Sequence, residues 1–469
     1  MRKFLLLLFA LLLLLTAVAS PTMAASEDSP DSINTSSLVT PITPLLSARR
    51  FPGALQASSA DPEIVASGRQ YLSKVVGSTC AIVEQDGRVI VSSQPEDSLV
   101  PASLMKLATA LGALDLLGAD HVFTTRFLSD SSIRDGNLNG NLYIVGGGDP
   151  LLTTAGYKTV FDDPNQLSED FNALAQTLTD AGVTSIAGNI VGDDSRYDSQ
   201  RWLPSWPSRY QLGGTVSPLS ALVVNDGSTG YVNSPNDATT ERQAGDPPLL
   251  FAQTLSTVLR TRGIDIGGAA VVGRTPKDAN EIAHFDSVPL SQVLSEMLLN
   301  SDNTTAELVV REVGLAANGQ GTTSSGIDAI KQSLANQGFN TNGLVMIDGS
   351  GLDTGGRMSC SLALALVKAV AAVPELRDSL PLGGRSGTLR KRMLSTPSMG
   401  KVRAKTGTLN SVNALAGFVD TPQGNTLTFA FLHNGADTRT TGVADGFTDR
   451  LVPYGKSPKI SSLGPLPIK

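Results

Sequence analysis

The stretch Pro101-Ala102-Ser103-Leu104-Met105-Lys106, continued by Leu107-Ala108-Thr109-Ala110-Leu111 and closed at Leu117-Gly118, organises the reading of the whole chain. Proline suits the first turn of a helix and glycine the position just past its end, so the stretch predicts a helix over 102–117. Ser103 and Lys106 stand three residues apart near its start and share one face, so the amine reaches the hydroxyl. That pairing suits a nucleophile and its base. The Ser103 amide lies in the first turn, where backbone donors lack helical partners and can hold a developing oxyanion. A free lysine has a pKa of about 10.4, and keeping it neutral at pH 7 costs roughly 4.6 kcal/mol. Burial and a second cation nearby both reduce that cost. Lys405 is the candidate second cation.

Before this helix, residues 61–75 carry apolar residues at helical spacing, and Thr79–Val83 and Arg88–Val91, joined through Asp86-Gly87, read as a β-hairpin. After it, residues 123–273 break into short β-prone runs cut by Gly, Asp, Asn and Pro, with helix-like segments at Asn165–Ala181 and Leu249–Arg262. The helical pattern returns at Leu290–Asn300 and Thr304–Ala317. Three strands are predicted at Lys401–Thr406, Val412–Val419 and Thr426–Leu432, with a helical segment at Val443–Leu451. The simplest assembly puts the N-terminal hairpin and the C-terminal strands in one sheet with helices on both faces. The expected fold class is therefore α/β (α+β), a three-layer domain carrying a β-rich inserted domain.

The expected division is a signal peptide at 1–25, a flexible spacer at 26–44, a catalytic domain in two parts at 45–122 and 274–455, the inserted domain at 123–273 and a tail at 456–469. Arg2 and Lys3, the apolar run Phe4–Leu15 and the small residues near Ala24-Ala25 make the leader a secretory signal. The run is short of the roughly 20 apolar residues that span a bilayer, so no stable membrane anchor is expected. Residues 26–40 are rich in Ser, Thr, Pro and Asp and lack periodicity.

Without Arg2 and Lys3 the chain carries 34 basic against 43 acidic side chains, a balance that argues against nucleic acid as a partner. Its two cysteines, Cys80 and Cys360, either pair in an exported protein or remain as buried free thiols. His121, His284 and His433 are scattered, and no His-Glu-x-x-His or Gly-x-Ser-x-Gly is present, so neither a metal nor a cofactor is expected.

Two further motifs complete a serine acyl-transfer pattern. Ser301-Asp302-Asn303 falls in the break between two predicted helices, where Ser301 can relay a proton to a leaving group and the Asn303 amide can meet a substrate peptide group. A helix N-cap is the plain alternative for Asp302 or Asn303. Lys405-Thr406-Gly407-Thr408 ends a β-prone run. A cation and a hydroxyl there can bind a carboxylate, Gly407 lets a substrate backbone approach, and the Thr408 amide is a second oxyanion donor. Each motif alone is weak. Ser-x-x-Lys recurs at Ser398–Lys401, read as a lead into a strand, and Ser-x-Asn recurs at Ser32, Ser234 and Ser411, read as turns.

In conjunction and order, these motifs resemble those of the penicilloyl serine transferases, and most closely the class C low-molecular-mass penicillin-binding proteins, the D-alanyl-D-alanine carboxypeptidase/endopeptidase family. Ser103 and Ser301 are 198 residues apart, as a large inserted module requires. Gly147-Gly148-Asp149-Pro150, Val191-Gly192-Asp193-Asp194-Ser195, Asn225-Asp226-Gly227, Asp348-Gly349-Ser350-Gly351-Leu352 and Gly387-Thr388-Leu389 add to the likeness, which runs from about residue 45 to 450. The resemblance implies a β-lactamase/transpeptidase-like domain. It also implies Ser103 as nucleophile, Lys106 as its base and Ser301 as proton relay, with Asn303 and Lys405 in the catalytic set and Thr406, Gly407 and Thr408 binding substrate. The implied substrates are peptidoglycan stem peptides, with β-lactam antibiotics as acylating inhibitors, in an extracytoplasmic location. The chain departs from the family at Asp353-Thr354, where Ser-Arg is common, leaving Arg357 as the nearest cation in sequence. A β-lactamase and a non-catalytic penicillin-binding cell-wall protein are the rival readings. The long insert and the missing Glu-x-x-Leu-Asn speak against the first, and the filled reactive positions against the second.

Overall fold

The hairpin over Ser78–Ser93 turns at Asp86 and Gly87, whose φ values of 49° and 82° are the paired left-handed conformation that matches the twist of the flanking strands. In the computed structural model, which describes residues 52–233, 242–435 and 442–455, this hairpin is part of a sheet completed some 300 residues later. The predicted signal, spacer and tail lie outside the described residues, as do Ser32, Ser234 and residues 45–51.

The chain starts with α1 (Pro52–Leu72), β1 (Ser78–Gln85), β2 (Arg88–Ser93) and α2 (Met105–Leu117). It then leaves on an excursion through β3 (Thr124–Ser129), β4 (Ile133–Arg134), β5 (Asn137–Leu138), β6 (Leu142–Val145), β7 (Leu152–Thr153), β8 (Glu169–Asp170), α3 (Phe171–Asp180), β9 (Ser185–Ile186) and β10 (Ile190–Asp193). The excursion continues through α4 (Ser208–Leu212), α5 (Pro247–Thr261), β11 (Asp265–Ile266), β12 (Ala270–Val272) and β13 (Asn280–Asp286). On return come α6 (Leu290–Asn300), α7 (Asn303–Asn318), α8 (Thr323–Asn336), α9 (Cys360–Ala371), α10 (Pro374–Ser379), β14 (Val402–Leu409), β15 (Val412–Asp420), β16 (Thr426–Asn434) and α11 (Gly442–Leu451).

The main sheet runs β14-β15-β16-β1-β2, antiparallel throughout, with Cys80 opposite Leu432 and Lys405 opposite Ala416. Its strands read as continuous apolar runs because both faces are covered. Cys80, Ile82, Ala414, Ala416, Phe418, Ala430 and Leu432 pack with α2 and α6–α9, while Ala81, Val83, Leu415, Val419, Phe429 and Phe431 pack with α1 and α11. The side chains alternate face by face along each strand. This is the expected three-layer α/β arrangement. Cys80 and Cys360 form a disulfide between β1 and the first residue of α9, which decides the choice left open by the sequence. No described helix is long and apolar enough to cross a membrane.

The excursion builds its own mixed sheet, β12-β10-β6-β3-β13, and a smaller one, β11-β9-β5-β4. Phe127, Leu142, Ile144, Phe171, Ile190 and Phe251 form a separate core under α3 and α5. Because β13 pairs with β3, from His284↔Arg126 to Asp286↔Thr124, the excursion's sheet runs on to Asp286, beyond the boundary at 273 read from the sequence. Helix α3 begins at Phe171 rather than Asn165, since Asp170 caps it by accepting from the Asn172 amide at 2.9 Å.

Candidate active site

Ser103 sits in a 3-10 turn, Ala102–Leu104, which leads into α2, so the α-helix proper starts at Met105 and not at Ala102. Ala102 holds a φ of 48° while fully buried, an uncommon backbone state for a residue with a Cβ. The surroundings press on this turn from two sides. A Cβ on Gly351 would meet the Ala102 carbonyl oxygen at 1.9 Å, and one on Gly407 would meet that of Pro101 at 2.5 Å. Gly407 thus admits the turn that carries Ser103 against β14. The sequence assigns Gly407 to the approach of a substrate backbone, and this packing is a second reason for glycine at that position.

One helical turn on, the Lys106 amine is wholly buried and donates to three oxygens: Ser103 Oγ at 3.0 Å, Asn303 Oδ1 at 2.7 Å and the Ser350 carbonyl at 2.9 Å. Burial lowers its pKa to about 8, against the opposing charges of Asp302, Glu307 and Asp348. Lys405, on β14, is also wholly buried, and its amine donates to Ser301 Oγ at 2.8 Å and the Thr406 carbonyl at 3.0 Å. Burial first, and the charge of Lys106 second, hold Lys405 well below its usual value. The sequence offers burial and a second cation, with Lys405 the candidate, as the two aids to a neutral Lys106. In the structure burial is the main cause for both amines.

Ser301 occupies the break between α6 and α7 in the left-handed conformation, with φ 60° and ψ 37°. Asp302 caps α7 by accepting from the Thr305 amide at 2.6 Å, the plain role foreseen for it. Asn303 is engaged at both ends. Its Oδ1 accepts from Lys106, and its Nδ2 donates to the Thr215 carbonyl at 2.7 Å. Its Oδ1 thus positions Lys106, while its amide nitrogen carries two N–H donors, of which the Thr215 bond takes one, and the side chain lines the cleft. Thr406 shares a hydrogen bond with the Thr388 hydroxyl at 2.8 Å.

Ser103, Ser301, Asn303, Thr406 and Thr408 all line one cleft of about 1210 Å³. Gly407 lies between two of them on β14, and Lys106 and Lys405 are buried behind Ser103 and Ser301. Three segments, 198 and 104 residues apart at Ser103, Ser301 and Lys405, converge here. Ser398 and Lys401 do not join them. Ser398 is buried and bonded to Asp449 at 2.6 Å and Thr448 at 3.0 Å, tying the lead into β14 to α11.

Several contributors escaped the sequence reading. The loop Asp348–Asp353 offers the Ser350 carbonyl to Lys106 because buried carboxylates hold it. Glu307 of α7 accepts from the Gly349 and Ser350 amides at 3.0 and 2.8 Å, and Asp348 accepts from the Gly351 and Asp353 amides at 2.7 Å each. Burial, followed by the charge of Asp348, raises Glu307 to about 7, and burial raises Asp348 too. From the excursion, Tyr210 and Thr215 form one wall of the cleft, steadied by Trp206 Nε1 donating to Asp348 at 2.9 Å and the Tyr210 hydroxyl donating to the Leu352 carbonyl. Thr388 and Arg392 stand on the β14 side. The motifs Asp348–Leu352 and Gly387–Leu389 signalled two of these places without a role. Nothing in the sequence pointed to Glu307, Tyr210 or Thr215, whose parts depend on contacts across the fold. Arg357 does not line the cleft and donates to the Thr354 and Gly356 carbonyls.

Comparison with known proteins gives one consistent picture. The model of the D-Ala-D-Ala carboxypeptidase 3 (S13) family matches residues 69–239 and 230–447. A D-alanyl-D-alanine carboxypeptidase of Actinomadura sp. (strain R39) is 28% identical over 458 residues, with 82% of each chain covered. A carboxypeptidase of Mycobacterium tuberculosis is 30% identical, covering 86% of this chain and 84% of its own. Among solved structures, penicillin-binding protein 4 of Haemophilus influenzae superposes with a TM-score of 0.68 at 23% identity, over 82% of this chain and 98% of that one, which establishes the shared fold.

Proposed function

The chain belongs to the D-Ala-D-Ala carboxypeptidase 3 (S13) family, and from that premise we propose that it cleaves the terminal D-alanyl-D-alanine bond of peptidoglycan stem peptides through an acyl-enzyme on Ser103. The observation that carries this reading is the contact between the buried Lys106 amine and Ser103 Oγ, with Asn303 and the Ser350 carbonyl fixing the amine from behind. Neutral Lys106 takes the hydroxyl proton as Oγ attacks the carbonyl of the penultimate D-alanine. The amides of Ser103 and Thr408 hold the resulting oxyanion. Ser301, bonded to Lys405, passes a proton to the departing amine, and D-alanine leaves. Water then attacks the ester and regenerates Ser103. A cross-linked peptide, whose leaving amine belongs to a D-centre, is cleaved by the same steps, so endopeptidase action needs no second site.

Penicillin presents a strained amide to the same serine, and we expect it to acylate Ser103 and leave slowly. Labelling with fluorescent penicillin, followed by mass mapping, is the deciding experiment. Wild type is expected to carry one adduct on the peptide containing Ser103, and Ser103→Ala none. Persistent labelling of Ser103→Ala, or an adduct elsewhere, removes the reading. Rapid nitrocefin turnover favours a β-lactamase instead, and absence of any adduct on wild type favours a non-catalytic wall-binding protein. The leader-like first 25 residues and the disulfide support an extracytoplasmic location.

A further inference from the structure

Glu307 stands on α7 four residues after Asn303, so the two share one face of the helix, and it is wholly buried. Both residues bear on the Lys106 amine, Asn303 directly through Oδ1 at 2.7 Å and Glu307 through the loop that follows Asp348. Glu307 Oε1 accepts from the Gly349 and Ser350 amides at 3.0 and 2.8 Å. The carbonyls of the same two residues are turned to α2, that of Gly349 accepting from the Thr109 hydroxyl at 2.7 Å and that of Ser350 from Lys106 at 2.9 Å. A peptide group whose N–H is held by a carboxylate carries a more negative carbonyl, so charge on Glu307 is felt at the helix that bears the base.

Asp348 is the second buried carboxylate of this loop, and the two are not equally equipped. Asp348 meets three donors with its two oxygens, the Gly351 amide on Oδ1 and the Asp353 amide and Trp206 indole on Oδ2. Glu307 places both of its donors on Oε1, and Oε2, equally shut off from solvent, has no hydrogen-bond partner among the described residues. Two carboxylates that feel each other's charge do not ionise with equal ease; here the donors keep the charge on Asp348 and leave Glu307 Oε2 as the place for a proton. Burial first, and the charge of Asp348 second, raise Glu307 to about 7, so its charge changes in the neutral range. The other charged groups facing it are Lys106 from α2 and, along α7, Arg311, which is itself paired with Asp198 at 3.0 Å. Lys106 faces Asp302, Glu307 and Asp348, with Lys405 as the neighbouring cation.

We propose that Glu307 is a positioning residue for acylation, holding the loop that receives the Lys106 amine and setting, by its own charge, the pH at which that amine can take the Ser103 proton. This rests on the peptidase reading above. An ionised Glu307 favours the ammonium form of Lys106 and delays the base to higher pH, whereas an uncharged group at the same place releases the base earlier.

The test measures the second-order rate of penicillin acylation at Ser103 from about pH 5 to 9 on wild type, Glu307→Gln and Glu307→Asp, with thermal melting as a check of folding. Gln keeps the length and an acceptor oxygen for the two amides and removes the charge. Its profile, normalised to its own plateau, is expected to reach half-height about half a pH unit to one unit below that of wild type. Asp keeps the charge and shortens the reach to the amides, so a lowered plateau with an unmoved half-height is expected. A Gln profile that reaches half-height at the wild-type pH or above it overturns the proposal, whatever its plateau, because a merely structural part moves the plateau alone. So does an Asp half-height displaced downward by about half a unit or more, a criterion that holds even where the Gln variant does not fold. If wild type takes no penicillin on Ser103, the peptidase reading falls as well, whereas labelling of Ser103 with an unmoved Gln profile removes Glu307 alone.

Discussion

Lys106 loses its proton readily because it is enclosed, and its three oxygen partners are neutral groups: a hydroxyl, a side-chain amide and a backbone carbonyl. The nearest carboxylates act only at a distance, and burial outweighs them, leaving the amine near a pKa of about 8. The base works only when neutral, and this sets the direction of the pH effect. Above about pH 8 the rate of acylation by penicillin should level off, and below it each unit of pH should cost about tenfold, since the neutral fraction falls tenfold per unit. A stopped-flow profile flat from pH 5 to 9 removes Lys106 as the base. Asn303 carries a related lesson. Its Nδ2 is committed to Thr215, a residue of the excursion, so the inserted module helps to aim the base through a single backbone carbonyl.

At the scale of elements, the site is made by packing β14 against the turn that opens α2. That contact depends on Gly407, because a Cβ there would lie 2.5 Å from the Pro101 carbonyl oxygen and 3.3 Å from the Ala102 Cβ. Gly407→Ala is expected to push β14 and the Ser103 turn apart by a fraction of an ångström to an ångström. Such a misplacement costs on the order of a hundredfold in rate while leaving the rest of the sheet register unchanged. The second-order rate of penicillin acylation measures it, and a variant within threefold of wild type shows that the contact is slack. The same logic explains the boundary shifts. The α2 stretch reads as helix from Ala102, yet the carbonyls of Pro101 and Ala102 are wedged against Gly407 and Gly351, and the first turn tightens to 3-10.

Across the whole molecule, the first strands and the last three form one sheet, so the main domain closes only when both ends of a long chain have met. The Cys80–Cys360 disulfide spans 280 residues of that path and includes the entire excursion. In the chain-entropy description a bridge closing such a loop restricts the unfolded state by on the order of 5 kcal/mol. The double variant Cys80→Ser/Cys360→Ser should therefore melt several degrees below wild type by calorimetry. An unchanged melting temperature means that the unfolded chain is already compact enough for the bridge to be idle. The excursion is fastened to α7 by Arg196 and Tyr197 on Glu312, at 2.6 to 2.9 Å, and the contact of His121 at 3.4 Å, together with these two, holds Glu312 down to about 2 despite its burial. The helix that begins with Asn303 thus carries the inserted module on its far half.

Period and punctuation are local properties, and the features they set are legible in the linear chain. The hairpin turn at Asp86-Gly87, the helices over 290–300 and 304–317, the three closing strands and the identities of Ser103, Lys106, Ser301 and Lys405 as members of one pattern all come from neighbours within a few residues. Solvent exclusion and long-range contact are not local, and they decided the rest. Only the folded chain puts Lys405 behind the cleft wall and Arg392 on it, joins Asn303 to Lys106, packs Gly407 against the Ser103 turn, extends the excursion's sheet to Asp286 and brings Cys80 to Cys360. Each of these depends on which atoms lie within a few ångströms across hundreds of residues, a distance that residue order does not encode until the sheet has joined its two ends.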